Sequence, residues 1–210
     1  METNWAAEHL QVIRTLMERS AVYRRALAPV MIYCGVLGIA AGVAGWLLQI
    51  HSARGYVLFW GGVAAVALIG SFLLVRRQAL KDSEPFWSPP TRRVAAAMTP
   101  AFFFGAFLAS LLYWANEKGL PQAILPPLWM ALYGCSLHAA GFFMPRGIKL
   151  LGWVFILFGC GKTCLLFADV FIRNSTPLKG GHLVMGLSFG LLHLAYGVYL
   201  YFTEKRRNET

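Results

Sequence analysis

The sequence predicts an all-α integral membrane protein, a bundle of six transmembrane helices preceded by an amphipathic interfacial helix. Of the 210 residues, 58% are hydrophobic and only 13% are charged, whereas about a quarter of a soluble domain is charged. Long apolar runs fill the chain after residue 26, and about 20 apolar helical residues span the ~30 Å hydrocarbon core of a bilayer. The loops between the runs also alternate in basic content, as loops on opposite sides of a membrane do.

The chain divides into three predicted parts. Residues 1–26 are expected to form the cytoplasmic interfacial helix, because apolar residues from Trp5 to Met17 recur at helical spacing. This helix would anchor the first span, or it would provide a docking surface for a soluble partner. Residues 27–203 form the transmembrane domain, and residues 204–210 form a basic cytoplasmic tail.

Six apolar runs define the predicted spans: Leu27–Ile50, Tyr56–Val75, Val94–Trp114, Leu128–Met144, Leu150–Val170 and Leu183–Phe202. The fourth run is the least regular, because Pro121, Pro126 and Pro127 precede it and Pro145 follows it. Proline is tolerated in the first turn of a helix. The fourth helix is therefore expected either to be short or to continue above a proline kink, with its regular part beginning near Pro127.

The distribution of basic residues predicts the orientation of the chain. Of the 19 Lys and Arg residues, fourteen fall in the segments on one side of the predicted membrane, four fall on the other side, and Lys162 lies inside a span. Lys and Arg accumulate in cytoplasmic loops. Both termini are therefore expected to be cytoplasmic in a multi-pass protein of a bacterial inner membrane, which requires an even number of spans. The net charge of +10 indicates attraction to anionic lipid headgroups rather than to nucleic acid.

Small residues recur at helical spacing on three spans, and helices in lipid associate through such residues. The stripes are Cys34, Gly38, Ala41 and Gly45 on the first span, Ala131, Gly134, His138 and Gly141 on the fourth, and Gly186, Gly190, His193 and Gly197 on the sixth. They predict close packing between helices, and they leave open a membrane protein partner or a homo-oligomer.

A three-plus-three repeat is a further interpretation. Met31 and the Ala-Ala-Gly segment that ends at Gly42 match Met130 and the Ala-Ala-Gly segment that ends at Gly141, 99 positions later. Two three-span halves would have opposite orientations in the membrane, as in many transporters.

Four polar residues form a predicted intramembrane site: Lys162, His193, His138 and Asp169. An uncompensated ammonium near the middle of the bilayer costs about 3 kcal/mol, so Lys162 is expected to face a cavity or a partner. Asp169 lies on the same helical face, but ~10 Å away along the axis. The group would bind an ion or an anionic substrate or would relay protons. The alternative is a purely structural role for Lys162.

These features lead to three hypotheses about function. The first is a small transporter- or channel-like protein with its polar site around Lys162. The second is a non-catalytic membrane subunit or regulator of a larger membrane complex, which would use its glycine stripes and basic cytoplasmic face for contacts. The third is a haem- or metal-binding redox protein in which His138 and His193 ligate haem.

No motif in the sequence predicts an enzyme. The segment from Gly159 to Thr163 resembles the end of a phosphate-binding loop, but it follows a membrane span and lacks the required first glycine. Cys160 and Cys164 lie one helical turn apart, and nothing else in the sequence completes a metal site around them.

Overall fold

The computed structural model describes the backbone of residues 21–81, 83, 85–115, 120–173 and 180–209, and in this part of the chain it is all-helical without strands. The first five helices are α1 (Ala21–Leu47), α2 (Ala53–Lys81), α3 (Pro89–Ala115), α4 (Leu120–Ala140) and α5 (Arg146–Arg173). The sixth rod, residues 181–209, consists of α6 (Gly181–Met185), a π-helical segment (Gly186–Leu192) and α7 (His193–Glu209). The predicted all-α class is confirmed.

Five of the described helices contain segments long and apolar enough to cross a membrane: Ala26–Leu47, Ala53–Lys81, Pro89–Trp114, Arg146–Ala168 and Gly181–Thr203. The chain is therefore a multi-pass membrane protein. Helix α4 is not among these five. It begins at Leu120 rather than near Pro127, so the expected start was wrong. Membrane helices tolerate internal prolines, since neighbouring helices and local adjustments can satisfy the freed backbone groups.

The two predicted ends of the chain are only partly described. Residues 1–20, which hold most of the expected interfacial helix, lie outside the described residues. Helix α1 begins at Ala21 and runs on without a break, so the predicted boundary at residue 26 falls inside a helix. At the other end, the backbone of α7 continues as a helix through the predicted tail to Glu209.

Helix α1 and the sixth rod are in backbone contact along a seam of glycines. A Cβ atom placed on Gly38 would lie 2.8 Å from the Cα atom of Gly190, and one placed on Gly42 would lie 2.7 Å from the Cα atom of Gly186. A Cβ atom on Gly197 would lie 2.7 Å from a backbone nitrogen of α1. Only glycine fits at such distances, so the predicted packing role is confirmed for the glycines of the two stripes. Gly42, which was not in the predicted stripe, takes part in the seam, whereas Cys34 of that stripe lies against Ser71 of α2.

Helices α4 and α5 form a second close pair. A Cβ atom on Gly134 would lie 2.6 Å from the carbonyl oxygen of Gly152, and one on Gly159 would lie 2.7 Å from the backbone nitrogen of Ala131. The seam does not follow the predicted repeat. Gly42 packs against the sixth rod, whereas its match Gly141 packs against Lys149 of α5, and α5 corresponds to α2 in that repeat.

The buried side chains form two clusters. The Phe155 cluster comprises Leu27, Ala28, Met31, Met130, Leu137, Ile148, Leu151, Phe155 and Leu200. The Trp60 cluster comprises Ala41, Tyr56, Val57, Trp60, Ala109, Leu125 and Met185. Helix α5 contributes three residues to the Phe155 cluster, but among the described residues it contributes none to the Trp60 cluster. The second half of α5 therefore lies outside the part of the bundle that the Trp60 cluster fills.

Candidate functional site

His193 is buried in the middle of the bundle, where α7 begins. Its ring is 2% exposed, and its Nε2 atom lies 2.7 Å from the hydroxyl oxygen of Tyr133 on α4. The rings of Tyr133, Phe155 and Phe189 surround the imidazole, with centroids 5.3, 5.4 and 6.2 Å away. This aromatic cage connects α4, α5 and the sixth rod around one hydrogen-bonded pair of polar side chains.

The π-helical segment Gly186–Leu192 leads directly into His193. Within it, the Ser188 hydroxyl donates a hydrogen bond to the Val184 carbonyl at 2.7 Å. The Nδ1 atom of His193 is buried and has no hydrogen-bond partner among the described residues. Short π segments inside helices are frequent at functional sites, so the segment marks the surroundings of His193 as a candidate site.

A second buried histidine, His182, connects three elements at the end of the bundle that carries the α1–α2 connection. Trp60 Nε1 donates a hydrogen bond to His182 Nδ1 at 3.1 Å. An indole nitrogen is only a donor, so Nδ1 must accept and the other ring nitrogen carries the proton. His182 Nε2 donates this proton to the carbonyl of Ile50 at 3.0 Å. The ring of Tyr56 packs on the imidazole at 4.9 Å.

The sequence pattern alone does not place His182 in a site. Its partners Trp60 and Ile50 lie 122 and 132 positions earlier in the chain. The available signal was its position one turn before Gly186 on the glycine stripe, which directs the imidazole toward α1. In the structure, a Cβ atom on Gly45 would overlap the His182 ring.

His138 lies in the last turn of α4 and is half-buried. Its ring is in edge contact with Phe142 at 5.7 Å and with Trp153 at 5.5 Å. Its buried Nδ1 atom has no hydrogen-bond partner among the described residues. These ring neighbours differ from those of His193.

Lys162 is exposed on the outer surface of α5. It was expected to line a polar site with His193, His138 and Asp169. Two helical turns, ~10 Å, separate Lys162 from Phe155 along the axis. Among the described residues, the aromatic cage of His193 reaches α5 at Phe155, and the Trp60 cluster contains no α5 residue. Lys162 is therefore not one of the side chains that form the cage.

The surface of α5 around Lys162 is open. Phe158 and Leu165, one turn away on the same side of the helix, are also exposed, and a Cβ atom on Gly161 would meet nothing within 4 Å. Within the described residues Lys162 has no ion pair or hydrogen bond, and they contain no cluster of potential metal ligands. The side chain of Asp169, the fourth predicted site residue, lies outside the described part of the chain.

The chain matches no protein-family model, no curated protein and no solved structure. Its function must therefore be inferred from the two features above, a caged histidine inside the bundle and an exposed lysine on its surface.

Proposed function

We propose that this protein is a non-catalytic subunit of a larger membrane assembly, in which its bundle serves as a rigid scaffold. The exposed ammonium of Lys162 carries the proposal. A lysine near the centre of a membrane helix costs about 2.5–3.5 kcal/mol on insertion scales. Nothing among the described residues of the chain offsets that cost at Lys162. A partner in the membrane would do so.

The packing of the bundle supports a scaffold role. Alternating access requires helices to rock or slide past one another. Here the backbones of α1 and the sixth rod touch at several glycines, and those of α4 and α5 touch at others. Close-packed contacts of this kind transmit strain rather than absorb it, which favours a bundle that moves as one body. Partners would then bind to the outer surface of this rigid bundle.

We also propose that α4 crosses the membrane and that the bundle has six spans. Its 21 residues extend about 31 Å at 1.5 Å per residue, which matches the ~30 Å hydrocarbon core. Its seam with α5 at Gly134 and Gly159 supports this, since a helix in contact with a spanning helix over this length lies at the same depth. The Trp129 indole also donates a hydrogen bond to the Gly105 carbonyl of α3 at 3.1 Å.

Six spans place both termini on one side, which we propose is the cytoplasmic side of a bacterial inner membrane. Two contacts between basic and aromatic residues support a position of the α2–α3 and α4–α5 connections at the same, basic end of the bundle. The guanidinium of Arg93 lies 5.9 Å from the ring centroid of Phe143, and the Lys149 ammonium lies 3.5 Å from that of Phe142. Positive residues collect on the cytoplasmic side, where anionic headgroups attract them.

Labelling of single cysteines in a cysteine-free background tests the orientation. Cysteines at positions 118 and 179 should react with an impermeant maleimide in intact cells. Cysteines at positions 81 and 205 should react only after the membrane has been permeabilised, which gives the reagent access to the cytoplasmic side. Equal reactivity of all four positions would contradict the proposed orientation.

The subunit proposal is tested by native electrophoresis and native mass spectrometry of membranes from the source organism, solubilised in a mild detergent. The expected result is one complex of fixed stoichiometry that contains this chain and another membrane protein. Recovery of the chain only as a monomer or homo-oligomer, over a range of mild detergents, would refute the proposal.

A second candidate function, proton-coupled transport, is favoured by the caged His193–Tyr133 pair beside the π-helical segment. Proteoliposomes with an internal pH dye would then show proton flux that is lost in His193→Leu. Absence of flux in the wild-type protein would remove this candidate. The same purified sample tests the haem hypothesis for His138 and His193, because bound haem gives a Soret band.

A further inference from the structure

We infer that the exposed strip of α5 around Lys162 docks a transmembrane helix of another protein that carries a carboxylate at the same depth in the membrane. The strip consists of Phe158, Lys162 and Leu165, which lie on one side of the helix at four- and three-residue spacing and are all exposed on the bundle. The inference rests on the proposed subunit function and names the surface and the chemistry of the partner.

The charge of Lys162 determines the chemistry of that partner. Inside the hydrocarbon core no water solvates the ammonium, so a carboxylate is the group that stabilises it most. The nine acidic residues of the chain are Glu2, Glu8, Glu18, Asp82, Glu84, Glu117, Asp169, Glu204 and Glu209. Only Asp169 lies within an apolar run. It is seven residues, ~10 Å along the axis, from Lys162, a longer separation than the three or four residues at which helical side chains are neighbours.

A second copy of this chain is a poorer occupant of the strip. Two copies side by side in a membrane share one orientation, so Asp169 of one copy keeps its ~10 Å offset in depth from Lys162 of the other. A different membrane protein is free of that restriction, because its acidic residue can lie at any depth. The net charge of +10 further favours an acidic partner over a second basic chain.

A lipid headgroup is also a poorer occupant. Lys162 lies eleven residues, ~16 Å, before Arg173, at which α5 ends. Helical side chains lean toward the N-terminus of their helix, so the Lys162 side chain leans away from that nearer membrane surface. To reach a headgroup at that surface, the lysine side chain would have to reverse its direction. A carboxylate on an adjacent helix can meet the ammonium without this change.

The strip also offers apolar contact area beside the charge. Phe158 and Leu165, one turn to either side of Lys162, are each 59% exposed. A second membrane helix can pack against these two side chains while its carboxylate lies at the depth of the ammonium.

A synthetic peptide tests the inference with the full-length protein in phosphatidylcholine vesicles. The probe is a leucine–alanine transmembrane helix of about 20 residues with one aspartate at the depth of Lys162 and an acceptor dye. The protein carries a donor dye on its N-terminal amine. Energy transfer should show about tenfold tighter association of the aspartate peptide than of an all-leucine peptide. The preference should be lost in Lys162→Met and kept in Lys162→Arg.

Lys81→Met is the matched control, because Lys81 is an exposed lysine at the end of α2. It should keep the full preference for the aspartate peptide. Three results would overturn the inference: equal association of both peptides, equal loss in the two methionine variants, or self-association of the protein that depends on Lys162. Addition of phosphatidylglycerol should not abolish the preference, and abolition would assign the strip to a lipid headgroup instead.

The native complex separates a failure of this inference from a failure of the proposed function. If a complex with another membrane protein exists and survives Lys162→Met unchanged, the subunit function stands and the docking inference is wrong. If no complex exists, the subunit function is wrong, whatever the peptide shows.

Discussion

Alanine at Gly38 should weaken the pairing of α1 with the sixth rod. A Cβ atom there would lie 2.8 Å from the Cα atom of Gly190, whereas ordinary contacts begin at 3.4 Å. The two backbones must therefore separate by about 0.6 Å, the difference between these distances. The atoms nearest to this Cβ belong to the backbone of the sixth rod, so no side chain can move aside. Overpacking of this kind costs about 1–3 kcal/mol.

The control is alanine at Gly61, in the exposed part of α2, where a Cβ atom would meet nothing within 4 Å. Alanine favours a helix over glycine by about 1 kcal/mol at either position. The difference between the Gly38→Ala and Gly61→Ala variants therefore isolates the steric effect. We expect the free energy of unfolding of Gly38→Ala to be lower than that of Gly61→Ala by about 1–3 kcal/mol. The measurement is unfolding by titration with sodium dodecyl sulfate in mixed micelles.

A second seam provides an independent check. Gly134→Ala places a Cβ atom 2.6 Å from the Gly152 carbonyl oxygen, so a similar loss is expected between α4 and α5. The two effects should add in the double variant, because distant sites without shared partners behave independently. A Gly38→Ala protein as stable as the Gly61→Ala protein would refute the backbone-contact argument.

Three further predictions concern the polar residues. Trp60→Phe removes the donor to His182 and leaves a buried acceptor, which should lower the free energy of unfolding by about 1–3 kcal/mol. Tyr133→Phe removes the partner of His193 and should cost a similar amount by the same assay. Lys162→Met in the isolated protein should cause no loss of stability in detergent and should improve membrane insertion, measured as the yield of inserted protein, because an exposed charge is removed from the hydrocarbon.

Exposed residues of the same types give the controls for these variants. Trp87 and Tyr201 are 59% and 55% exposed, so phenylalanine at either position should leave stability within about 0.5 kcal/mol of wild type. Equal effects of Trp60→Phe and Trp87→Phe, or of Tyr133→Phe and Tyr201→Phe, would show that the buried hydrogen bonds contribute nothing. A fall in stability of Lys162→Met would indicate that Lys162 anchors a buried polar network.

The helices and their glycine seams could be predicted because both signals are local. An apolar run long enough to span a bilayer is a property of about 20 consecutive residues. The spacing of Gly186, Gly190 and Gly197 places them on one helical face whatever their partner is. The structure adds the identity of the partner, which is α1, and the contact distances, which depend on how two distant segments cross.

The surroundings of the polar residues could not be predicted in the same way. The helical periodicity places Lys162 close in angle to Phe155, since seven residues complete nearly two turns. Burial, however, depends on which helices lie beside α5 at each depth, and this is decided by segments far away in sequence. For the same reason the bond from Trp60 to His182 was missed, since 122 positions separate the two residues.

The bundle is unevenly covered by its own helices. In the apolar segments of α1 and the sixth rod, 44% and 39% of residues are buried, compared with 11% in α2 and 22% in α5. Hydrocarbon accepts exposed leucine and phenylalanine without cost, so low burial alone requires no partner. A lysine on such a surface is different, because the free-energy cost of an ammonium in hydrocarbon comes from its charge and not from how well it packs. The other described basic residues lie at helix ends or in connecting segments, where headgroups and water solvate them. Lys162 thus needs an explanation that neither lipid attraction nor core packing supplies, and an acidic helix at its depth provides one.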